Sequence, residues 1–234
     1  MWHIVKIRSY PARNGGARLY NGVTNTSLWH TYSNGQRDYG TFQLPDGLKK
    51  NDKLPEPVLT PTTKFEIHDR NLTPAEALTE GLLKDEVWQR VSDYALQLFT
   101  FGQKVSEAKG LLLVDTKYEF GLTPQGEIIL IDEIHTQDSS RYWLTESYQQ
   151  RIDEGVEPDN YDKEYLRLWF KERFDPYADT PAPEVPAEII EELERRYRFV
   201  YESLAGQAFE EPDTTDIVKR IEANVLRTLG QHES

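Results

Sequence analysis

The sequence predicts an α+β fold in which a central charged β-hairpin is packed by helices, with no regular strand–helix alternation of a parallel sheet. Three observations carry this. From about Lys84 to Lys109, Val87, Val91, Tyr94/Ala95, Leu98, Phe101 and Val105 recur at helical spacing, and Gly110 is placed to end the run. Two apolar runs follow at once, LLLV from Leu111 and EIILI from Glu127, joined by the turn-forming TPQG. A second helical pattern, Ile189, Leu193, Tyr197, Val200/Tyr201 and Leu204, occupies residues 187–204.

The remaining elements follow in chain order. Residues 1–40 are rich in Gly, Asn, Tyr and Arg and read as loops with one or two short strands. Prolines at 45, 55, 57, 61 and 74 make residues 45–75 extended or irregular. Thr73-Pro74-Ala75-Glu76 has the form of a capping box with proline at the first helical position. DKEYLRLWFKERF, from Asp162, suits a helix within an otherwise mixed region, and DTTDIVKRIEANVLRTLG, from Asp213, a short final one. There is no internal repeat.

Composition bounds the function. The 234 residues, 38% of them hydrophobic, suffice for one sizeable core or two modest lobes. A net charge of −13 argues against nucleic acid held by a basic face, and leaves room for a small phosphorylated ligand if positive charge is local. No apolar run approaches membrane-spanning length and MWHIVKIRSY lacks a signal-peptide core, so a cytoplasmic chain with no membrane partner is expected. Without cysteine, disulfides, thiolate zinc sites and cysteine nucleophiles are excluded.

The two apolar runs carry an unusual load of ionisable groups. Side chains alternate along a strand, so Asp115, Lys117 and Glu119 share one face. With the turn centred on Pro124 and Gln125, Glu119 lies opposite Leu130 and Lys117 opposite Asp132. Asp132 is then a diagonal step from Glu119, roughly 7–8 Å away between backbones. Two carboxylates so placed need something positive between them. Lys117 can supply it, and so can a hard divalent cation, which takes one or two carboxylates and completes its shell with water and phosphate oxygens. The same spacing serves equally a buried ion network that fixes strand register. Asp138-Ser139-Ser140-Arg141 just beyond favours the ligand reading, because hydroxyls and a guanidinium fork together suit a phosphate.

At these residues the chain resembles the SAICAR synthetase family (phosphoribosylaminoimidazole-succinocarboxamide synthases). LLLVDTKYEFG followed by GEIILIDEIHTQDSSRYW is similar to the family's signature region. NTSLWHTYSNG, LPDGLKKNDKLPEPVLTPTTK, the His68-Asp69 pair and DKEYLRLWF follow in the family's order, so that the likeness covers about residues 18–206. It leaves 1–17 as an unmatched segment and 207–234 as a helical tail.

The resemblance implies a ligase that condenses L-aspartate with carboxyaminoimidazole ribotide at the expense of ATP. Small molecules would be its partners and Mg²⁺ its cofactor. By that likeness Glu119 and Asp132 hold the metal, and Lys117 and Asp115 serve the chemistry. Ser27, Lys64, Ser139, Ser140, Arg141, Asp162 and Lys163 line the substrate cleft. Each has a plainer competitor: for Ser27 a turn cap, for Asp162 the cap of the helix after it.

The chain also departs from the pattern. The family's β-rich amino-terminal lobe, with its glycine-rich loop and lysine over the ATP phosphates, has no counterpart in MWHIVKIRSYPARNGGA, and Gln137 replaces a customary proline. The expected fold is therefore mainly the carboxy-terminal α+β lobe. Three readings stay open: a truncated form of such a synthetase, a chain whose missing wall comes from another copy or a partner chain, and a silent relative that binds ribotide or metal without turnover.

Overall fold

The computed structural model describes residues 4–8, 17–22, 27–61, 73–81, 84–175 and 181–232, the first two segments as backbone. A six-stranded antiparallel sheet is built around one long strand. β1 (Ile4–Arg8), β2 (Ala17–Gly22), α1 (Ser27–Ser33), β3 (Lys53–Thr60), α2 (Pro74–Thr79) and α3 (Asp85–Glu107) precede it. β4 (Leu111–Leu122) is that strand. β5 (Ile128–Leu130), β6 (Ser140–Leu144), α4 (Thr145–Asp153), α5 (Glu164–Arg173), α6 (Ala187–Ala205) and α7 (Ile217–His232) follow. The order β1-β4-β2-β3 forms the main path, and β5 and β6 also pair with β4.

Local signals explain where the elements begin and end. The capping box at α2 is formed, with the Thr73 hydroxyl accepting from the Glu76 amide and the Glu76 carboxylate accepting from the Thr73 amide. Gly110, at φ +75°, permits the turn from α3 into β4 that a side chain would strain. The predicted helices over 84–109, 162–174, 187–204 and the tail are present as α3, α5, α6 and α7.

The core lies between α3 and β4. Trp88, Val91, Ala95 and Phe99 of α3 pack on Leu111, Leu113, Tyr118 and Phe120 of β4, with Tyr142 of β6 and Val200 of α6 closing the cluster. The buried stripe of α3 runs Trp88, Val91, Ala95, Phe99, Gly102, Ser106, not along the predicted line through Phe101 and Val105; Phe101 is 66% exposed. The reason is steric. The histidine ring of His135 sits where a side chain at 102 would be, so the helix presents its smallest residues there. A smaller cluster gathers Leu28, Tyr32, Leu44, Leu54 and Val58.

Two strands differ from expectation. EIILI is not a buried strand: β5 keeps only three residues, and Ile129 and Ile131 are each 39% exposed. Residues 140–144, to which the sequence assigned no element, form β6 and pair with the first half of β4, Asp115 facing Arg141 and Thr116 facing Ser140. α7 displays an apolar stripe with Val218 and Leu226 well exposed. Among the described residues no helix is long and apolar enough to cross a membrane.

The shifted stripe gives a direct test by urea denaturation. Phe99→Ala, opening a cavity at a fully buried position, should cost about 3–5 kcal/mol, whereas Phe101→Ala should stay below about 1 kcal/mol.

Candidate functional site

The hairpin turn decides how the charges meet. The Thr123 amide donates to the Glu127 carbonyl at 2.9 Å, and the Gly126 amide to the Thr123 carbonyl at 2.9 Å, with Gly126 at φ +84°. The turn is thus a three-residue one, 124–126, not a two-residue one centred on Pro124 and Gln125. The register moves by one residue: Phe120 pairs with Leu130, and the Ile131 amide donates to the Glu119 carbonyl at 2.9 Å. The predicted Glu119–Leu130 and Lys117–Asp132 cross-strand pairs are corrected accordingly.

The charges nevertheless converge. Lys117 Nζ lies 2.7 Å from Glu119 Oε1 and 2.5 Å from Asp132 Oδ2. Glu119 is nearly buried, while the Asp132 side chain retains 32% exposure at the end of β5. The long lysine stem spans the one-residue offset that shorter side chains could not. Among the described residues no three His, Cys, Asp or Glu side chains cluster as a metal cage. Two hard carboxylates in reach of one cation fit magnesium, whose remaining positions belong to water and phosphate oxygens.

A second pocket opens on the same strand. It is lined by Asp115, Asp138, Ser139, Ser140, Arg141, Asp162, Lys163, Glu164 and Arg167. Ser140 Oγ pairs with Thr116 Oγ1 at 2.7 Å and with Ser139 Oγ at 3.3 Å, holding both hydroxyls beside Arg141. Arg141, 6% exposed, donates to Glu164 Oε2 at 3.2 Å, and Arg167 reaches the same oxygen at 3.5 Å. Burial opposes ionisation of Glu164, but Arg141 and Arg167 hold its carboxyl below the usual range. Two guanidiniums sharing one carboxylate oxygen make a seat that another anion can contest. Lys163 donates to Asp138 Oδ1 at 2.7 Å, which keeps that carboxyl low as well.

Asp162 is buried, its Oδ2 accepting from the Tyr142 amide at 2.9 Å and its Oδ1 from the Glu164 amide at 2.7 Å. Both oxygens are engaged by backbone, so it ties β6 to the start of α5 while lining the pocket. Burial pushes its pKa up to about 6. The structure therefore brings together Asp115, Lys117, Glu119, Asp132, Ser139, Ser140, Arg141, Asp162 and Lys163 on and around β4. Lys64 and the His68-Asp69 pair lie outside the described residues, as does the side chain of Ser27 at the start of α1. Glu164 and Arg167 are additions. Their i,i+3 spacing within DKEYLRLWF pairs them on one helix face, but does not say that this face meets β6.

An α+β sheet carrying a carboxylate–ammonium cluster beside a guanidinium–hydroxyl pocket is of the class of protein that can hold small anionic molecules. The comparisons give the family. The chain belongs to the SAICAR synthetase family, whose model matches residues 20–183, a family of ATP-dependent carbon–nitrogen ligases. A phosphoribosylaminoimidazole-succinocarboxamide synthase of Legionella pneumophila (strain Paris) is 50% identical over 211 residues, covering 90% of this chain and 68% of that protein. A chloroplastic synthase of Arabidopsis thaliana is 50% identical over 210 residues, covering 89% of this chain and 51% of that protein. The SAICAR synthase of Saccharomyces cerevisiae, solved in complex with SAICAR, superposes with a TM-score of 0.67 at 30% identity, covering 87% of this chain and 64% of that one. The chain thus spans between half and about two thirds of the length of these relatives.

Two predictions follow from the charges. Lys117→Met leaves Glu119 and Asp132 facing each other. It should cost about 2 kcal/mol, less than a fully buried pair because Asp132 is partly exposed, and millimolar Mg²⁺ should restore part of the lost melting temperature. The second concerns pH. Burial holds His135 neutral, with its pKa pushed down to about 4. The unfolded chain takes up that proton near 6.5, so the histidine's contribution is complete above pH 6.5 and drains as pH falls toward 4, by roughly 3 kcal/mol in all. Asp162 acts with the opposite sign, its raised pKa adding stability as pH falls through 6. His135→Gln removes only the first effect. The stability gap between wild type and variant should therefore narrow on going from pH 7 to pH 4 in urea titrations.

Proposed function

We propose that this chain carries out the ATP- and Mg²⁺-dependent ligation of L-aspartate to carboxyaminoimidazole ribotide, giving SAICAR, ADP and phosphate in de novo purine biosynthesis. The observation that carries the reading is the Lys117 ammonium set between Glu119 and Asp132, on the strand that also lines the Arg141 pocket.

The chemistry explains why such a site is needed. A carboxylate is a poor electrophile, so the ribotide carboxylate is first converted to an acyl phosphate by the γ-phosphoryl group of ATP. The aspartate amine then attacks the carbonyl carbon, the new C–N bond forms, and phosphate leaves with the former acyl oxygen. Glu119 and Asp132 would hold Mg²⁺, which when bound neutralises the phosphate charge. Lys117 places its ammonium where transferred or carboxylate oxygens accumulate charge. Asp115 lies beside it on the same face of β4, available to steer the attacking amine. Arg141, with Ser139 and Ser140, grips the ribotide phosphate, and Asp162 and Lys163 shape the pocket edge. Positioning supplies most of the rate. Small-molecule partners and a cytoplasmic location accompany this reading.

The test is phosphate release by the purified chain with Mg²⁺-ATP, L-aspartate and the ribotide. Glu119→Gln should lower kcat at least a hundredfold, and Arg141→Lys should raise KM for the ribotide about tenfold, since a point charge cannot replace the guanidinium fork. Turnover indifferent to Glu119→Gln would overturn the assignment. Saturable ribotide binding without turnover would mark the chain as a ribotide-binding relative.

A further inference from the structure

The two halves of the site are joined by residues 131–139, which begin beside Glu119 and return to Lys117. The Ile131 amide donates to the Glu119 carbonyl at 2.9 Å, and the Lys117 amide to the Ser139 carbonyl at 3.1 Å. Asp132 stands at one end of this loop and Asp138-Ser139 at the other. At its centre His135 turns inward with φ +57°, a left-handed conformation that a side chain adopts at a cost and keeps only where its surroundings enforce it.

Those surroundings are specific. Tyr118 Oη meets His135 Nε2 at 2.5 Å, and Tyr142 Oη donates to the His135 carbonyl at 2.6 Å. Both tyrosines are wholly buried. Burial keeps the imidazole neutral, so one of its nitrogens stays an acceptor, and Nε2 and the Tyr118 hydroxyl share a single short hydrogen bond. On the other side the ring presses on α3 at Gly102, where a Cβ would sit 2.4–2.8 Å from its atoms. Ser106 Oγ donates to the Gly102 carbonyl at 2.8 Å, fixing the floor of the notch.

We infer that His135 is a positioning residue: locked by Tyr118, Tyr142 and the Gly102 notch, it sets the path of the 131–139 loop and so the placement of Asp132 and of Ser139. It touches no substrate. The inference rests on the reading of Asp132 as a metal-holding carboxylate, and it goes further by assigning the residues that aim it. Gly102 and Tyr118 then belong to the function of the site although neither lines the pocket.

The test uses the full chain with Gly102→Ala and Tyr118→Phe. Phe99→Ala serves as a control that loosens the same helix without touching the notch. Amide hydrogen exchange is measured at Ile131, Lys117 and Ser140, the last donating to the Thr136 carbonyl at 2.8 Å, with the Leu112–Trp143 pair of the β4–β6 ladder as internal reference. Mn²⁺ affinity is read by electron paramagnetic resonance. Both notch variants should speed exchange at the three loop-anchoring amides at least tenfold with the reference pair nearly unchanged. They should weaken Mn²⁺ about tenfold, the usual scale for groups that orient ligands. Phe99→Ala should lower the melting temperature without this signature. Exchange and Mn²⁺ affinity in the notch variants that merely track stability, as in Phe99→Ala, would overturn the inference. If the wild-type chain binds no Mn²⁺, the metal reading fails by itself. Exchange at the three amides then decides whether His135 pins the loop: tenfold acceleration upholds the pin and unchanged rates reject it.

Discussion

The Lys117 ammonium, held between Glu119 and Asp132, is the contact on which the arrangement of the site depends. β4 is buried along nearly all its length, so each ionised group it carries must be compensated by a partner. The lysine meets that requirement for two carboxylates at once and leaves the cluster one negative charge in excess. A resident ion network of that kind is poor as a device for stability, because apolar residues would pack as well. In the proposed function it would suit a strand that accepts a cation and phosphate oxygens, since Glu119 is already desolvated and Asp132 stays open to solvent.

Around Glu164 the second pocket follows the same logic with signs reversed, with Asp115, Asp138 and Asp162 also in its lining. Arg141 is as buried as Glu119, and its charge is met by Glu164, which Arg167 also approaches. Side chains on β6 and α5 thus set two guanidiniums on one carboxylate beside β4, while around Lys117 two carboxylates share one ammonium. In the proposed reaction these two networks would serve a ribotide phosphate and a metal-bound polyphosphate respectively.

Much of this was legible in the sequence, and the exceptions have identifiable causes. The helices and the capping box at Thr73 were readable because periodicity and cap chemistry are local. The stripe of α3 was displaced by a residue because Gly102 and Ser106 carry no apolar signal; their burial is dictated by His135, distant in sequence. β6 escaped because SRYWL is short and begins with polar residues that serve the pocket. Lys117 and Glu119 of β4 were readable as neighbours, since alternation along a strand is robust. Their cross-strand register was off by one because TPQG closes with a glycine in the left-handed region, which adds a residue to the turn. Glu164 and Arg167 were quoted within a helix but left unassigned, since nothing local says which face of a helix meets a strand some twenty residues earlier.

The anchoring of residues 131–139 on β4 has a mechanical consequence. Its two ends are tied to strand residues two apart, a span of about 6.6 Å along an extended chain, and that spacing is enforced by a backbone ladder. Asp132 and Ser139, at the two ends of the loop, are therefore held at a fixed interval, as on one rigid jig. In the proposed reaction, any closing motion that brings reactants together would be made by parts that move against β4. A substrate whose reacting carboxylate and phosphate did not match that interval would then be rejected by length before any side chain read its chemistry.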